Sequence, residues 1–512
     1  MFTSPRNRRS FSPRSGRAVA LLACVLCGCA VGPTFHRPAA PPDTHYVNGA
    51  DPTTTVSAAG TAQQFVPGAA ITADWWRLFH SAQLDAMISE AIAKNPGLEA
   101  AQASLRASSD ELRSGYGIFF PSVDAEAAAT RERFTTLNFG EKSPGSIFNL
   151  FTLSASVNYA LDVFGGNRRM LEALHADVDV AKATEQATYL TLAANIADAV
   201  IARAGYRAEI DATRQLITMQ AEQVRLAEIQ AQAGTVAYST VLSLRSQLAG
   251  YEATIPQLEQ KLAQSDDLLA ALCGHTPAEW SAPDVALADL ALPAQLPVSL
   301  PSELVHQRPD ILAAEATAHA ASANIGVATA AMLPSVTLSG GAAGASNSSS
   351  SLFPANGRAW SIGADATVPV FQGGTLWYKR KAAVDTYHQA MAAYRQTVLS
   401  AFEQVADTLR ALDHDAATLA ADDEALADAA QALKLIQANY RAGLVTYLDV
   451  LNANAQYQQA LINDVQAIAV RYQDTVALFA ALGGGWWNKA GVDGHAETAP
   501  VAAPAAVVPA SP

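Results

Sequence analysis

Charge, aromatic rings and cysteine are all scarce in this chain. Of its 512 residues, 16% are charged and 7% are aromatic. Acids outnumber Lys and Arg by 47 to 33, a formal net charge of −14. That balance gives no basic face for phosphates and excludes nucleic acid as a partner. The cysteines are Cys24, Cys27, Cys29 and Cys273. Three lie in the first thirty residues, so the body has neither a disulfide framework nor a thiolate zinc site. There is no Gly-rich loop leading to Lys-Ser/Thr, no Gly-x-Ser-x-Gly and no His-Glu-x-x-His. The ten histidines are scattered, and His306 and His319 read as helix-surface residues. No nucleophile, base and electrophile group together, so no enzyme, cofactor or metal is expected. Apolar residues, at 50%, are ample for a core and exclude a disordered chain. The abundance of Ala with few aromatics is that of long packed helices.

The N-terminus carries an address. Arg6, Arg8, Arg9, Arg14 and Arg17 precede the apolar run 18–26, which is too short to span a bilayer and reads as a secretory signal. It ends in Leu26-Cys27-Gly28-Cys29. A small residue before a cysteine at this point resembles a bacterial lipobox. Residues 1–28 are then the signal peptide and Cys29 the acylated, palmitate-bearing terminus; the other reading is ordinary cleavage with Cys29 unmodified. Ala30, rather than Asp, after the cysteine implies sorting to the outer membrane. Residues 29–85 are expected to be an anchor and extended segment, with the Pro/Thr/Ala-rich stretch 36–70 trailing over the surface. Residues 489–512, rich in Ala and Pro, read as a disordered tail.

The chain repeats itself once. Asn95-Pro96 precedes Phe120-Pro121-Ser122-Val123, and Arg308-Pro309 precedes Leu333-Pro334-Ser335-Val336; both pairs lie 213 residues apart. Ala233-Gly234 with Tyr238 recurs 209 residues later as Ala442-Gly443 with Tyr447. A period near 210 is too long for a solenoid and marks two copies of one unit, 86–300 and 301–488.

Each copy contains a hairpin, near 120–164 and near 333–371. From Leu150 to Phe164 the residues alternate: Phe151, Leu153, Ala155, Val157, Tyr159, Leu161 and Val163 oppose Thr152, Ser154, Ser156, Asn158, Ala160 and Asp162. That is a strand with one apolar and one polar face. Val123, Ala125 and Ala127 alternate alike. So do Val336 and Leu338, and the series Trp360, Ile362, Ala364, Ala366, Val368 and Val370. The Gly/Ser/Asn-rich stretches 138–146 and 340–356, including Gly340–Gly344, read as hairpin loops. The pattern suits a barrel with lipid outside and water inside. A soluble β-sandwich hairpin alternates in the same way.

After each hairpin the apolar period becomes helical, over about 168–273 and 375–483. Residues 168–232 contain no Pro and only Gly205, which allows ~95 Å of unbroken helix. Heptad-like spacing, as at Leu433, Ile436 and Tyr440, fits helices packed as coiled coil. Four strands cannot close a barrel, and an open edge in lipid leaves backbone groups unpaired at several kcal/mol each. The chain is therefore expected to oligomerise, and three copies supply twelve strands. The predicted fold is mainly α with transmembrane β: a trimeric β-barrel continued by a long periplasmic α-barrel.

Several motifs resemble the TolC/OprM-type outer-membrane efflux proteins, and most of all their lipidated NodT-like branch. They are Cys29-Ala30-Val31-Gly32-Pro33, Trp75-Trp76 with Phe79, Asn95-Pro96 with Leu98, and Asp162-Val163-Phe164-Gly165 before Arg168-Arg169. Arg308-Pro309-Asp310-Ile311, Ile325-Gly326-Val327-Ala328 before Leu333-Pro334-Ser335, and Ala481-Leu482-Gly483-Gly484-Gly485-Trp486 complete the set. The similarity spans about residues 29–488. It implies a homotrimeric channel-tunnel in outer-membrane lipid, working with a periplasmic membrane-fusion adaptor and an inner-membrane pump of the resistance-nodulation-division (RND) class. The pump supplies the energy and this chain a passive exit for small molecules.

The resemblance also places a gate where helices converge after a Gly turn, here Tyr440 to Ala453. Three copies of Asp449 would form a carboxylate ring that filters by charge. Asn452, three residues on, shares its helical face but carries no charge. Leu448 would constrict by size. In the first repeat Thr240 and Ser243 hold the places matching Asp449 and Asn452, without charge. Tyr440 resembles a latch tyrosine whose counterpart, near Thr240, lacks a carboxylate. Two other readings stay open from sequence: the outer-membrane duct of a type I protein-secretion system, and a coiled-coil lipoprotein without a pore. Cys273, alone at an Ala-Leu helix end, is expected to be buried and inert.

Overall fold

The computed structural model describes residues 30–134, 145–348 and 358–488. Cys29, the signal segment 1–28, both hairpin tips and the tail 489–512 lie outside the described residues. The chain forms two compact units, each discontinuous in sequence. They cut across the 86–300 and 301–488 repeats, because each unit collects corresponding pieces from both.

The first unit, made of 1–38, 104–182 and 313–395, holds a four-stranded antiparallel sheet. Its strands are β2 (Ser122–Phe134), β3 (Ser146–Leu161), β5 (Ser335–Ser346) and β6 (Arg358–Thr367), in the order β2-β3-β5-β6. The two hairpins thus join through β3 and β5. The register aligns the alternation across all four strands. Val123, Val157, Gly340 and Ile362 form one cross-strand row, and Ala125, Ala155, Ala342 and Trp360 the next. Ser122, Asn158, Ser339 and Gly363 form a row on the opposite face. The apolar face is uncovered: Val123 is 71%, Trp360 79% and Ile362 83% exposed. A soluble sandwich would bury that face against a second sheet, so this structure does not have the sandwich form.

Three details of the sheet differ from the sequence expectation. Gly340–Gly344 is not a loop. It lies inside β5 and pairs with β3 and β6, because the ladder needs only backbone groups and small residues leave them accessible. Val163 lies past the end of β3, where the Asp162 carboxylate accepts the Asn167 and Arg168 N–H groups and starts the next helix. Val368 and Val370 lie past the end of β6, flanking Pro369, which has no N–H to give the ladder.

The second unit comprises 39–103, 183–312 and 396–512. It contains a small parallel pair absent from the sequence reading, β1 (Gln64–Pro67) with β4 (Gln295–Val298). This corrects the expectation that 36–70 only trails over the surface. Thr55, Ala58, Gln63 and Phe65 are buried. The reason is Arg471, 1% exposed, which donates to the Ala58 and Thr61 carbonyls, to Thr55 Oγ1 and to Gln63 Oε1 at 3.1–3.3 Å.

The helices are α1 (Ala82–Lys94), α2 (Pro96–Gly115), α3 (Gly166–Gln232), α4 (Tyr238–Leu272), α5 (Pro301–Gln307), α6 (Pro309–Ala330), α7 (Thr375–Arg441) and α8 (Tyr447–Ala481). The duplication is exact in length: α3 and α7 each have 67 residues, α4 and α8 each 35. None of the described helices is long and apolar enough to cross a membrane.

The second unit's core closes around rings and one cation. Trp75 stacks on Phe479 at 5.2 Å between centroids. Buried Arg308 donates to the Ala481 carbonyl at 2.9 Å, to both Asp310 oxygens at 2.9 Å and to Gln404 at 2.6 Å. That cation ties together α5, α6, α7 and the end of α8. Cys273 is fully buried, its Sγ 3.8 Å from the Met87 carbonyl.

Candidate functional site

The two long-helix turns are built to the same plan. Gly234 and Gly443 both take φ +75°, the left-handed conformation glycine adopts without strain. In both, the residue after the glycine donates back across the turn: Thr235 N–H to Gln230 O and Leu444 N–H to Asn439 O, each 2.9 Å. Ala233-Gly234 and Ala442-Gly443 are therefore C-terminal stop signals that reverse the chain into the next helix.

The restart differs. In the second repeat Thr446 caps α8. Its N–H and Oγ1 donate to Asp449 Oδ2 at 2.8 and 2.6 Å, while the Asp449 N–H donates to Thr446 Oγ1 at 3.3 Å. This reciprocal capping box was legible as Thr-x-x-Asp before a helical run, though the sequence reading gave Asp449 only a charge role. In the first repeat the capping position is Ala237, with no side-chain bond. Thr240, at Asp449's matching place, is exposed and bonds through its backbone N–H to Ala237 O.

The hydrogen bonds from Thr446 hold the Asp449 carboxyl below its ordinary range. It is an exposed, ionised group at neutral pH. Asn452 is exposed one turn later, and Leu448, the residue before Asp449, is half-buried. Tyr440, 44% exposed, packs its ring against Tyr447 at 5.4 Å. The structure thus brings Tyr440 to the base of the Asp449 helix. It gives Tyr440 an aromatic neighbour in the protomer and leaves Thr240 in the other turn. Near the end of α3, Arg225 pairs with Glu222 at 2.6 Å.

Two expectations away from the turns have clear outcomes. The Cys273 thiol is buried and pushed up to about 11 by desolvation, with Glu90 adding to the effect. His319 is not an idle surface residue. It bonds Glu172 at 3.0 Å and stacks on Phe35 at 4.5 Å. Among the described residues no group of His, Cys, Asp and Glu could hold a metal ion.

Comparison with known proteins now bears on the whole chain. Residues 87–275 and 300–484 match the outer membrane efflux protein family, in the same two blocks as the internal repeat. The chain belongs to the outer membrane efflux protein family. It is 30% identical to the outer membrane protein OprJ of Pseudomonas aeruginosa over 93% of this chain and 96% of that one. It is 28% identical to the probable efflux pump outer membrane protein TtgC of Pseudomonas putida over 93% and 96%. Among solved structures, the outer-membrane channel OprN superposes with a TM-score of 0.77 at 27% identity, over 90% of this chain and 100% of that one. The CmeC channel of Campylobacter jejuni, at 19% identity, shares the fold with a TM-score of 0.78 over 89% and 95%. This family member is an outer-membrane efflux protein.

Proposed function

We propose that three copies of this chain form the outer-membrane exit duct of a tripartite RND efflux system. The observation that carries this is the sheet. Its apolar face is open and its edges, β2 and β6, have no strand partner among the described residues. Such a sheet is stable in hydrocarbon only if sister subunits pair those edges. A twelve-stranded barrel follows, with α3, α4, α7 and α8 of each protomer lining a periplasmic tunnel. The partners are a periplasmic membrane-fusion adaptor and an inner-membrane RND pump. Acylated Cys29 adds a lipid anchor.

The gate lies at the two turns. Asp449 supplies a ring of three ionised carboxylates and selects cations, Leu448 narrows the bore, and Asn452 lines it without charge. Tyr440 and Thr240 set how the turns pack. Support comes from the exposure of Asp449 and Asn452 in the first turns of one helix and from the lowered Asp449 pKa.

The test has two arms. Gene deletion should raise susceptibility to small toxic compounds, and purified protein in planar bilayers should conduct as a trimer. Loss of protein export with unchanged drug susceptibility would favour a type I secretion duct. Folded protein that passes no ion current would leave a coiled-coil lipoprotein without a pore.

A further inference from the structure

The first described residues do not hang free from the sheet unit. Val31 N–H donates to the Phe164 carbonyl at 3.0 Å. Arg169, 7% exposed, donates from Nε to the Val31 carbonyl at 3.1 Å and from a terminal nitrogen to the Gly32 carbonyl at 3.4 Å. The same guanidinium bonds Glu172 at 2.7 Å; the other Glu172 oxygen bonds His319, whose ring lies on Phe35. Arg37 Nε then reaches Glu315 at 2.6 Å. From Ala30 to Arg37 the segment therefore runs along the start of α3 and along α6, bonded at four points.

The fit leaves no room for side chains at two places. Gly32 takes φ +98°, and a Cβ there would lie 2.4 Å from the Gly326 Cα. A Cβ on Gly326 would lie 2.6 Å from Arg169 Cγ and 2.9 Å from the Val31 carbonyl oxygen. This is backbone against backbone, the closest approach a helix surface permits. Such contact is specific to one register of the segment and would not arise from a loose leader.

We propose that Ala30–Arg37 is a docked strap, received by Arg169, Gly326 and the Glu172–His319 pair, that couples the anchor at Cys29 mechanically to the sheet–helix junction. This rests on the acylation reading above. Ala30 Cα sits against Gly165, at 2.5 Å from where a Cβ would be, in the short link between the end of β3 and the start of α3. A load on the lipid passes through Arg169 into α3, and the side chains that receive it are positioning residues.

The test uses the full chain purified in detergent, with the mass of the N-terminal peptide reporting acylation separately. Hydrogen exchange should be slow over residues 30–37 in the wild type. Gly326→Val should raise it about tenfold or more there while leaving β2 and β3 protected. Arg169→Met, which removes the donors and keeps the aliphatic stem, serves if Gly326→Val does not fold, with the same expectation. Fast exchange in the wild type, or unchanged exchange in the variant that folds, overturns the strap. Coupling is read by Tm in vesicles, comparing acylated protein with a Cys29→Ser form exported on a non-lipoprotein signal. Acylation should raise Tm in the wild type and not in the strap variant. An equal rise in both overturns the coupling. An unacylated mass with a protected strap overturns the anchor reading and the coupling built on it.

Discussion

Thr446 and Asp449 answer to two demands at once. Asp449 caps α8 through three bonds with Thr446 and also carries the one charge at the proposed constriction. The roles separate by mutation. Asp449→Ala removes both and should raise conductance and weaken cation selectivity in planar bilayers. Thr446→Ala removes the cap and keeps the charge, so it should loosen the turn by about 1 kcal/mol while selectivity stays. Equal selectivity in wild type and Asp449→Ala would show that the carboxylates do not face the pore. Cys273 offers a simpler prediction. With its thiol pushed up to about 11, it should resist a maleimide at pH 8 in the folded protein and react promptly once the chain is unfolded. Such residue-level behaviour was partly legible. The isolation of Cys273 at a helix end announced burial, whereas the cap at Asp449 was overlooked beside its charge.

Along the α7–α8 pair the decisive feature is a seam of acids. Asp415 meets Asp474 and, further along, Asp423 meets Asp464, in the order that antiparallel helices require. Burial, and then the hydrogen bond to the opposing carboxyl, pushes Asp415 up to about 7 and Asp464 up to about 6. Asp422 adds to the repulsion at Asp464, and buried Arg471 moderates it at Asp415. The folded seam keeps protons that the unfolded chain releases above the ordinary value of 3.8. Its contribution to stability is therefore full below about 4 and falls as pH rises to about 7. Asp464→Asn removes one of these titrations. Its Tm should exceed that of the wild type by about 2 °C at pH 8 and match it near pH 4, as read by thermal melts followed by circular dichroism. The helices themselves were plain from their period and lack of proline. Which of their acids face each other was not, because pairing depends on the packing of distant segments.

For the whole molecule, the solvent of the sheet is the main question. Ile362 stands 83% exposed in a row with Val123 and Val157. If that face meets lipid, Ile362→Arg should cost about 2–4 kcal/mol near the bilayer midplane. The yield of protein inserted into vesicles should then fall while the helical content of the remainder is retained. A soluble face would accept the arginine without penalty. The alternation alone left both solvents open. The uncovered face and unpaired edges narrowed the choice, and family membership settled the localisation.

Sequence by itself determined the two hairpins, the long helices and their duplication. Period-two and helical periodicities, the left-handed glycines at matched positions and the constant offset near 210 are local or self-referential signals, and they need no partner to be read. Tertiary structure alone decided what those elements meet. It turned Gly340–Gly344 from loop to strand, buried part of 36–70 beneath Arg471 and docked Ala30–Arg37 on Arg169. Each outcome depends on hydrogen-bond partners more than a hundred residues away, and no local pattern of side chains encodes which distant backbone will satisfy a given donor.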